Sequence, residues 1–330
     1  MSGGVMVLSV GDRRGGPEAS PNTVLHTAPP RVVPAVGRRA PAPAPLAPAL
    51  ALALAAVVAS WALTLGTVAV AAEEMAYPLS VAVNRSGTAF VADRKMPGVW
   101  RVEADKATVF YRGSQKFRTP LNAIRCVAVD SDGKILAGDS ATRDIYRFDD
   151  KGTPQPLTAQ GKPFGQIGIP MSIAVDADGN LLVSDLETHR ILKVPKAGGA
   201  VEPVATLHAP RGLCYDAKKQ LWVISGRKLV RLSPKGESTT IVDDGVFGYP
   251  HTVVVADDGT AYVCDGYAKA IWKIPPGGKP EKLLSGAPLV SPVGLALYQG
   301  RLLVADPHAK AVFDVDGKGS ATRRNLGPSK

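Results

Sequence analysis

Apolar and polar positions along most of this chain follow a unit that recurs six times. Aligned on the first apolar run, the copies read PLSVAVNRSGTAFVAD (78–93), IRCVAVDSDGKILAGD (124–139), PMSIAVDADGNLLVSD (170–185), PRGLCYDAKKQLWVIS (210–225), PHTVVVADDGTAYVCD (250–265) and PVGLALYQGRLLVAD (292–306). Two short β-branched runs flank a turn such as DSDG, DADG or ADDG, where glycine supplies the positive φ of a tight hairpin. A third apolar run follows (VWRV, IYRF, ILKV, LVRL, IWKI, VFDV), then a more polar fourth such as ATVFYR or STTIVDD. No helical period competes with the strand pattern.

Four short strands in about 40 residues make a sheet too small to bury its own faces, and a ring of such sheets lets each cover its neighbours. The expected fold is therefore all-β, a six-bladed β-propeller with four-stranded antiparallel blades over residues 73–330. Residues 1–48 lie outside it: VVPAVGRRAPAPAPLAPA is too simple in composition to form a core, and the segment reads as a disordered leader. Residues 49–72 carry no charge, with Arg31, Arg38 and Arg39 before them and Glu73 and Glu74 after. They read as a signal peptide or a retained membrane anchor, and the basic flank places residues 73–330 outside the cytoplasm, periplasmic or secreted.

The formal charge is +10 at pH 7. Removing residues 1–72 takes away five basic residues (Arg13, Arg14, Arg31, Arg38, Arg39) and two acidic ones (Asp12, Glu18), which leaves +7. A basic exported domain favours anionic ligands or surfaces, and export argues against nucleic acid as a partner. Cys126, Cys214 and Cys264 lie in apolar runs without metal-ligand spacing and read as small buried thiols.

In a propeller the first residues of the innermost strands ring one mouth of the central channel. These positions are Leu79, Arg125, Met171, Arg211, His251 and Val293. The residue type changes from blade to blade, and Leu79 and Val293 show that apolar side chains fit. Arg125, Met171, Arg211 and His251 are therefore candidate ligand-binding residues, with His208 approaching from the entry loop three residues before Arg211. The competing reading pairs the arginines with nearby aspartates. Asp93, Asp139, Asp185, Asp265 and Asp306, with Ser225 in the fourth copy, recur too regularly for catalysis and are expected to accept backbone N–H groups. Arg101, Arg147, Lys193, Arg231 and Lys273, one per third strand, read as a solvated face.

The pattern P-x-x-[IVL]-A-V-D-x-x-G with the D-x(5)-[IV] spacing resembles the NHL repeat over residues 77 to about 325. The resemblance implies a six-bladed propeller but leaves function open, since such propellers are lyases, lactonases and binding platforms alike. In the gluconolactonase and regucalcin-like family, oxygen ligands at the inner-strand starts hold a divalent metal; here those positions carry no Asp, Glu or Asn. In the amidating-lyase propeller, histidines hold zinc beside arginine and methionine; here only His251 is well placed, with His208 near it. No GxSxG, HExxH or phosphate-cradling loop occurs. The residues thus point to a binding or interaction module for a small anionic molecule, a peptide or a protein partner. The alternative is a lactone hydrolase or metal-dependent lyase at the same mouth; no cofactor is firmly implied, and a divalent metal stays open with that alternative.

Overall fold

The computed structural model describes residues 74–104 and 106–324. The leader (1–48) and the charge-free segment (49–72) lie outside the described residues, and no described helix is long and apolar enough to cross a membrane. Each repeat forms one four-stranded antiparallel sheet whose strands follow chain order, and there are six such sheets among the described residues. The inner strands are Pro78–Val83, Ile124–Val129, Pro170–Val175, Pro210–Tyr215, Pro250–Val255 and Gly294–Tyr298. The second strands are Ala89–Asp93, Ile135–Asp139, Leu181–Asp185, Leu221–Ser225, Ala261–Asp265 and Arg301–Asp306. The hairpin turns between them need left-handed backbone, as in Gly179 (φ +84°) of DADG and Gly259 (φ +85°) of ADDG.

Burial peaks in the second strand of each blade, above that of the channel-lining inner strand, and is least in the outer one. All five residues of Leu181–Asp185 are buried, because neighbouring blades cover both faces of a second strand. The outer strand Glu202–Thr206 has no buried residue. The apolar core is divided into six clusters, each lying between consecutive blades. One joins Val91, Trp100 and Val102 of the first blade to Leu303, Ala305 and Val312 of the sixth. The first and last inner strands are thus neighbours like any other pair, and the ring closes. Blade one has its own four strands and so does blade six, so closure uses side-chain packing rather than a shared sheet.

Close backbone approach tightens the blade interfaces. A Cβ on Gly212 would lie 2.5 Å from the Thr252 Cα and 2.6 Å from the His251 carbonyl oxygen, so only glycine lets blades four and five meet there. Hydroxyls stitch other interfaces: Thr252 Oγ1 donates to the Val293 carbonyl at 2.7 Å, and Ser184 Oγ donates to the Arg211 carbonyl.

Five inner strands share a feature that apolar patterning does not show. Pairing with the second strand slips just after the first residue, between Pro78 and Ser80, Ile124 and Cys126, Pro170 and Ser172, Pro210 and Leu213, and Pro250 and Thr252. Leu79, Arg125, Met171, Arg211 and His251 occupy these bulges. The sixth strand begins at Gly294 and pairs without a slip, leaving Val293 just ahead of it.

Candidate functional site

A β-bulge leaves its extra residue out of the ladder and re-aims the side chain. Repeated in five blades, it directs one side chain per blade at the channel. Leu79, Arg125, Met171, Arg211, His251 and Val293 all line one cavity of about 450 Å³, whose deeper wall is apolar and includes Val127, Ile173, Leu213 and Leu295. The expected ring is therefore assembled. His208 is not part of this lining; it is exposed, and its ring packs edge-on against His189 at a centroid distance of 5.6 Å.

The five repeated aspartates fix the loops around the mouth and are fully buried. Asp265 accepts from Gly248 N at 2.7 Å, Tyr249 N at 2.8 Å, Ala268 N at 3.0 Å and Trp272 Nε1 at 3.3 Å. Asp93, Asp139, Asp185 and Asp306 do the same for their own loops. For Asp185, burial works to raise the pKa, but the donors Ile169, Gly168, Thr188 and Glu187 outweigh it and the net shift is downward. In the fourth blade, Ser225 makes one bond instead, to the His208 carbonyl at 3.0 Å. These carboxylates are taken up by backbone and side-chain donors and form no ion pair with Arg125 or Arg211 among the described residues, although Asp139 and Asp265 still act on Arg125 and His251 through their charge.

Arg211 is 9% exposed. Its Nη1 donates to the Gly226 carbonyl at 3.2 Å, and its guanidinium lies 4.3 Å from the centre of the Tyr249 ring. Arg125 is half-buried and donates from Nε to Ser140 Oγ at 3.0 Å. Burial and the nearby charge of Arg94 lower the Arg125 pKa, with Asp139 opposing them. Among the described residues neither arginine forms an ion pair. Each guanidinium has five donors and uses one here, so donor capacity faces the cavity. The entry and turn loops of the same face add Arg94, Lys95, Lys116, Arg118 and Lys162, also without ion pairs among the described residues.

His251 packs edge-on to Tyr249 at 4.8 Å between centroids. Its pKa is pushed down to about 4, first by burial and then by the Arg211 charge, against a smaller upward pull from Asp265. At neutral pH it is an uncharged imidazole, so the permanent charge of the mouth resides in the arginines. The third-strand cations point elsewhere: Arg101 pairs with Glu103, Arg147 with Asp130, and Lys273 with Glu281. Cys126 and Cys264 are buried and Cys214 partly so; burial pushes each thiol up to about 12.

A divalent metal of the kind held by lactonase or amidating-lyase propellers does not fit these residues. The ring offers one imidazole and no carboxylate, and the rim aspartates are already saturated with backbone donors. Among the described residues no three His, Cys, Asp or Glu side chains converge as a metal would require.

Similarity to solved structures agrees with the architecture. Virginiamycin B lyase from Staphylococcus aureus superposes with a TM-score of 0.59 at 16% identity, covering 78% of this chain and 86% of that one. A gluconolactonase from Xanthomonas campestris gives 0.61 at 16% identity, covering 74% and 86%. A chain of a nidogen/laminin complex gives 0.56 at 18%, covering 67% and 86%. No protein-family model and no curated protein sequence matches the chain. At these identities the likeness shows the fold, and it defines the class: a six-bladed β-propeller, the architecture of that lyase and that gluconolactonase. Function has to be read from the mouth itself.

Proposed function

We propose that the chain is an exported propeller that binds a small carboxylate at its channel mouth, on Arg125 and Arg211, with His251 and Met171 completing the wall. One observation carries this reading: two arginines face one cavity of about 450 Å³ with no carboxylate paired to either among the described residues. A desolvated guanidinium favours a planar carboxylate, which it can bind bidentately. The surrounding unpaired cations would draw an anion in. Delivery outside the cytoplasm, with residues 49–72 as signal or anchor, and the NHL-type reading of the repeats belong to the same proposal. So does the absence of nucleic acid among its partners.

A second reading is favoured by His251. His251, uncharged at neutral pH, stands beside Arg211 and can accept the proton from the carbon next to a bound ester carbonyl. The C–H bond breaks, its electron pair moves onto the carbonyl oxygen, and the guanidinium stabilises that charge, although an imidazole held at about 4 is a weak base. Enzymes of this fold give that reading a precedent. A histidine-to-alanine variant of the staphylococcal lyase, solved with quinupristin, is described as catalytically inactive.

Calorimetric titration separates a carboxylate site from a generic basic surface. Simple carboxylates and their neutral amides are titrated into wild type, Arg125→Ala and Arg211→Ala. The acids bind, the amides do not, and each substitution weakens the acid about tenfold or more, ~1.4 kcal/mol. Equal affinity in all three proteins removes the site from the mouth.

A further inference from the structure

The mouth is continuous with a second depression of about 520 Å³ over blades five, six and one. Leu79, Tyr249, His251 and Val293 line both spaces. Beyond them the second is walled by Tyr77, Tyr267 and Pro307, with His308 at its edge. Tyr267 is 83% exposed and Tyr249 46%. Single exposed aromatics are ordinary on a protein surface. These are not scattered, because Tyr249 stands at the junction, against Arg211 on one side and His251 on the other.

Two Gly-Tyr pairs build the crevice, Gly248-Tyr249 on the entry loop and Gly266-Tyr267 on the turn after Asp265. Asp265 ties them together by accepting from the backbone of Gly248, Tyr249 and Ala268. Both glycines keep space open. A Cβ on Gly266 would meet Ser291 Oγ at 3.1 Å and His251 Cδ2 at 3.4 Å, and one on Gly248 would meet Tyr267 Cδ1 at 3.0 Å. The result is one opening with a cationic end at Arg125 and Arg211 and an aromatic end at Tyr77, Tyr249 and Tyr267.

We propose that the crevice is the ring subsite of the anion site, so that the ligand is a carboxylic acid bearing a flat apolar ring. Its carboxylate faces the arginines and its ring lies against Tyr249 and Tyr267. This inference rests on the carboxylate reading above and specifies the class of acid. Each space is within the size range of small-molecule sites. A sugar acid fits less well. Apart from the tyrosine hydroxyls, the crevice side chains able to hydrogen-bond are Ser291, His251 and His308, too few for a ring of hydroxyls. Aromatic walls reward an apolar ring through buried area and edge or offset stacking.

The test titrates propionate, 3-phenylpropionate and glucuronate into the full chain, as wild type and as Tyr267→Ala. Tyr267 is exposed on a turn, so its truncation leaves the core intact. The expected result is that 3-phenylpropionate binds at least tenfold more tightly than propionate or glucuronate. Tyr267→Ala should remove most of that advantage while propionate affinity stays within twofold. If propionate and 3-phenylpropionate bind equally, or Tyr267→Ala changes nothing, the ring subsite is wrong and the carboxylate site stands. Glucuronate binding as tightly as 3-phenylpropionate likewise overturns the apolar ring. If no carboxylate binds at all, both the reading and this inference fail.

Discussion

Lowering the pH from 6.5 to 4 tests the channel mouth through His251. A free imidazole titrates near 6.5, and in the fold His251 is held at about 4 by burial and by Arg211, with Asp265 as the opposing charge and Tyr249 as the stacked neighbour. Between those values the unfolded chain binds a proton that native His251 refuses. The contribution of neutral His251 is therefore complete above pH 6.5 and is lost as pH falls toward 4. A gap of roughly 2.5 units at ~1.36 kcal/mol per unit gives about 3 kcal/mol at most, with a slope approaching ~1.4 kcal/mol per pH unit. Denaturant unfolding of wild type and His251→Asn at half-unit steps measures it, since the difference between the two proteins isolates this group. Carbon-13 NMR of the His251 ring gives its pKa directly. A carboxylate bound beside Arg211 offsets the field that depresses the imidazole, so the pKa should rise on binding, and affinity should increase as pH falls only until the ligand's own carboxylate begins to take up a proton near ~4–5. A His251 that titrates near 6.5, or a His251→Asn protein with the wild-type slope, would refute the desolvated imidazole.

Two further substitutions test what positions the site. Gly212→Val forces a side chain into the backbone of blade five, where a Cβ already comes within 2.5 Å of Thr252 Cα; it should cost about 3 kcal/mol in denaturant unfolding. Asp265→Ala strands donors from Gly248, Tyr249, Ala268 and Trp272, and should cost about 3 kcal/mol or more while weakening 3-phenylpropionate binding through Tyr249. Ser225→Ala, which loses a single bond to the His208 carbonyl, should cost about 1 kcal/mol, and a loss as large as that of Asp265→Ala would contradict the role given to the aspartates.

Blade number, strand order and the structural aspartates were legible because each is repeated. An apolar run, a turn and an acceptor at a fixed offset recur under the same packing constraint, so six copies reinforce one another. The channel ring was legible for the same reason, since Met171, Arg211 and His251 each follow a proline at one offset. The bulges that aim those side chains were not read, because a slipped register is a backbone hydrogen-bonding event. Its only trace is the pair of residues between the proline and the first inward apolar position, as Met171 and Ser172 lie between Pro170 and Ile173. His208 has a suitable offset from Arg211, but its loop turns it toward His189, a contact set by tertiary packing. Tyr249 and Tyr267 were passed over because they belong to loops rather than to the repeat. The doubled Gly-Tyr pair flanking His251 and Asp265 was the signal available for them.

The carboxylate site at the mouth is tested most directly by crystallography of the chain with 4-iodobenzoate, whose iodine places the ligand by anomalous scattering. The expected result is iodine density over Tyr249 and Tyr267, with the carboxylate at about 2.7–3.2 Å from a guanidinium nitrogen of Arg211 or Arg125. Iodine bound elsewhere on the propeller, with both guanidinium groups free of the ligand, would contradict it.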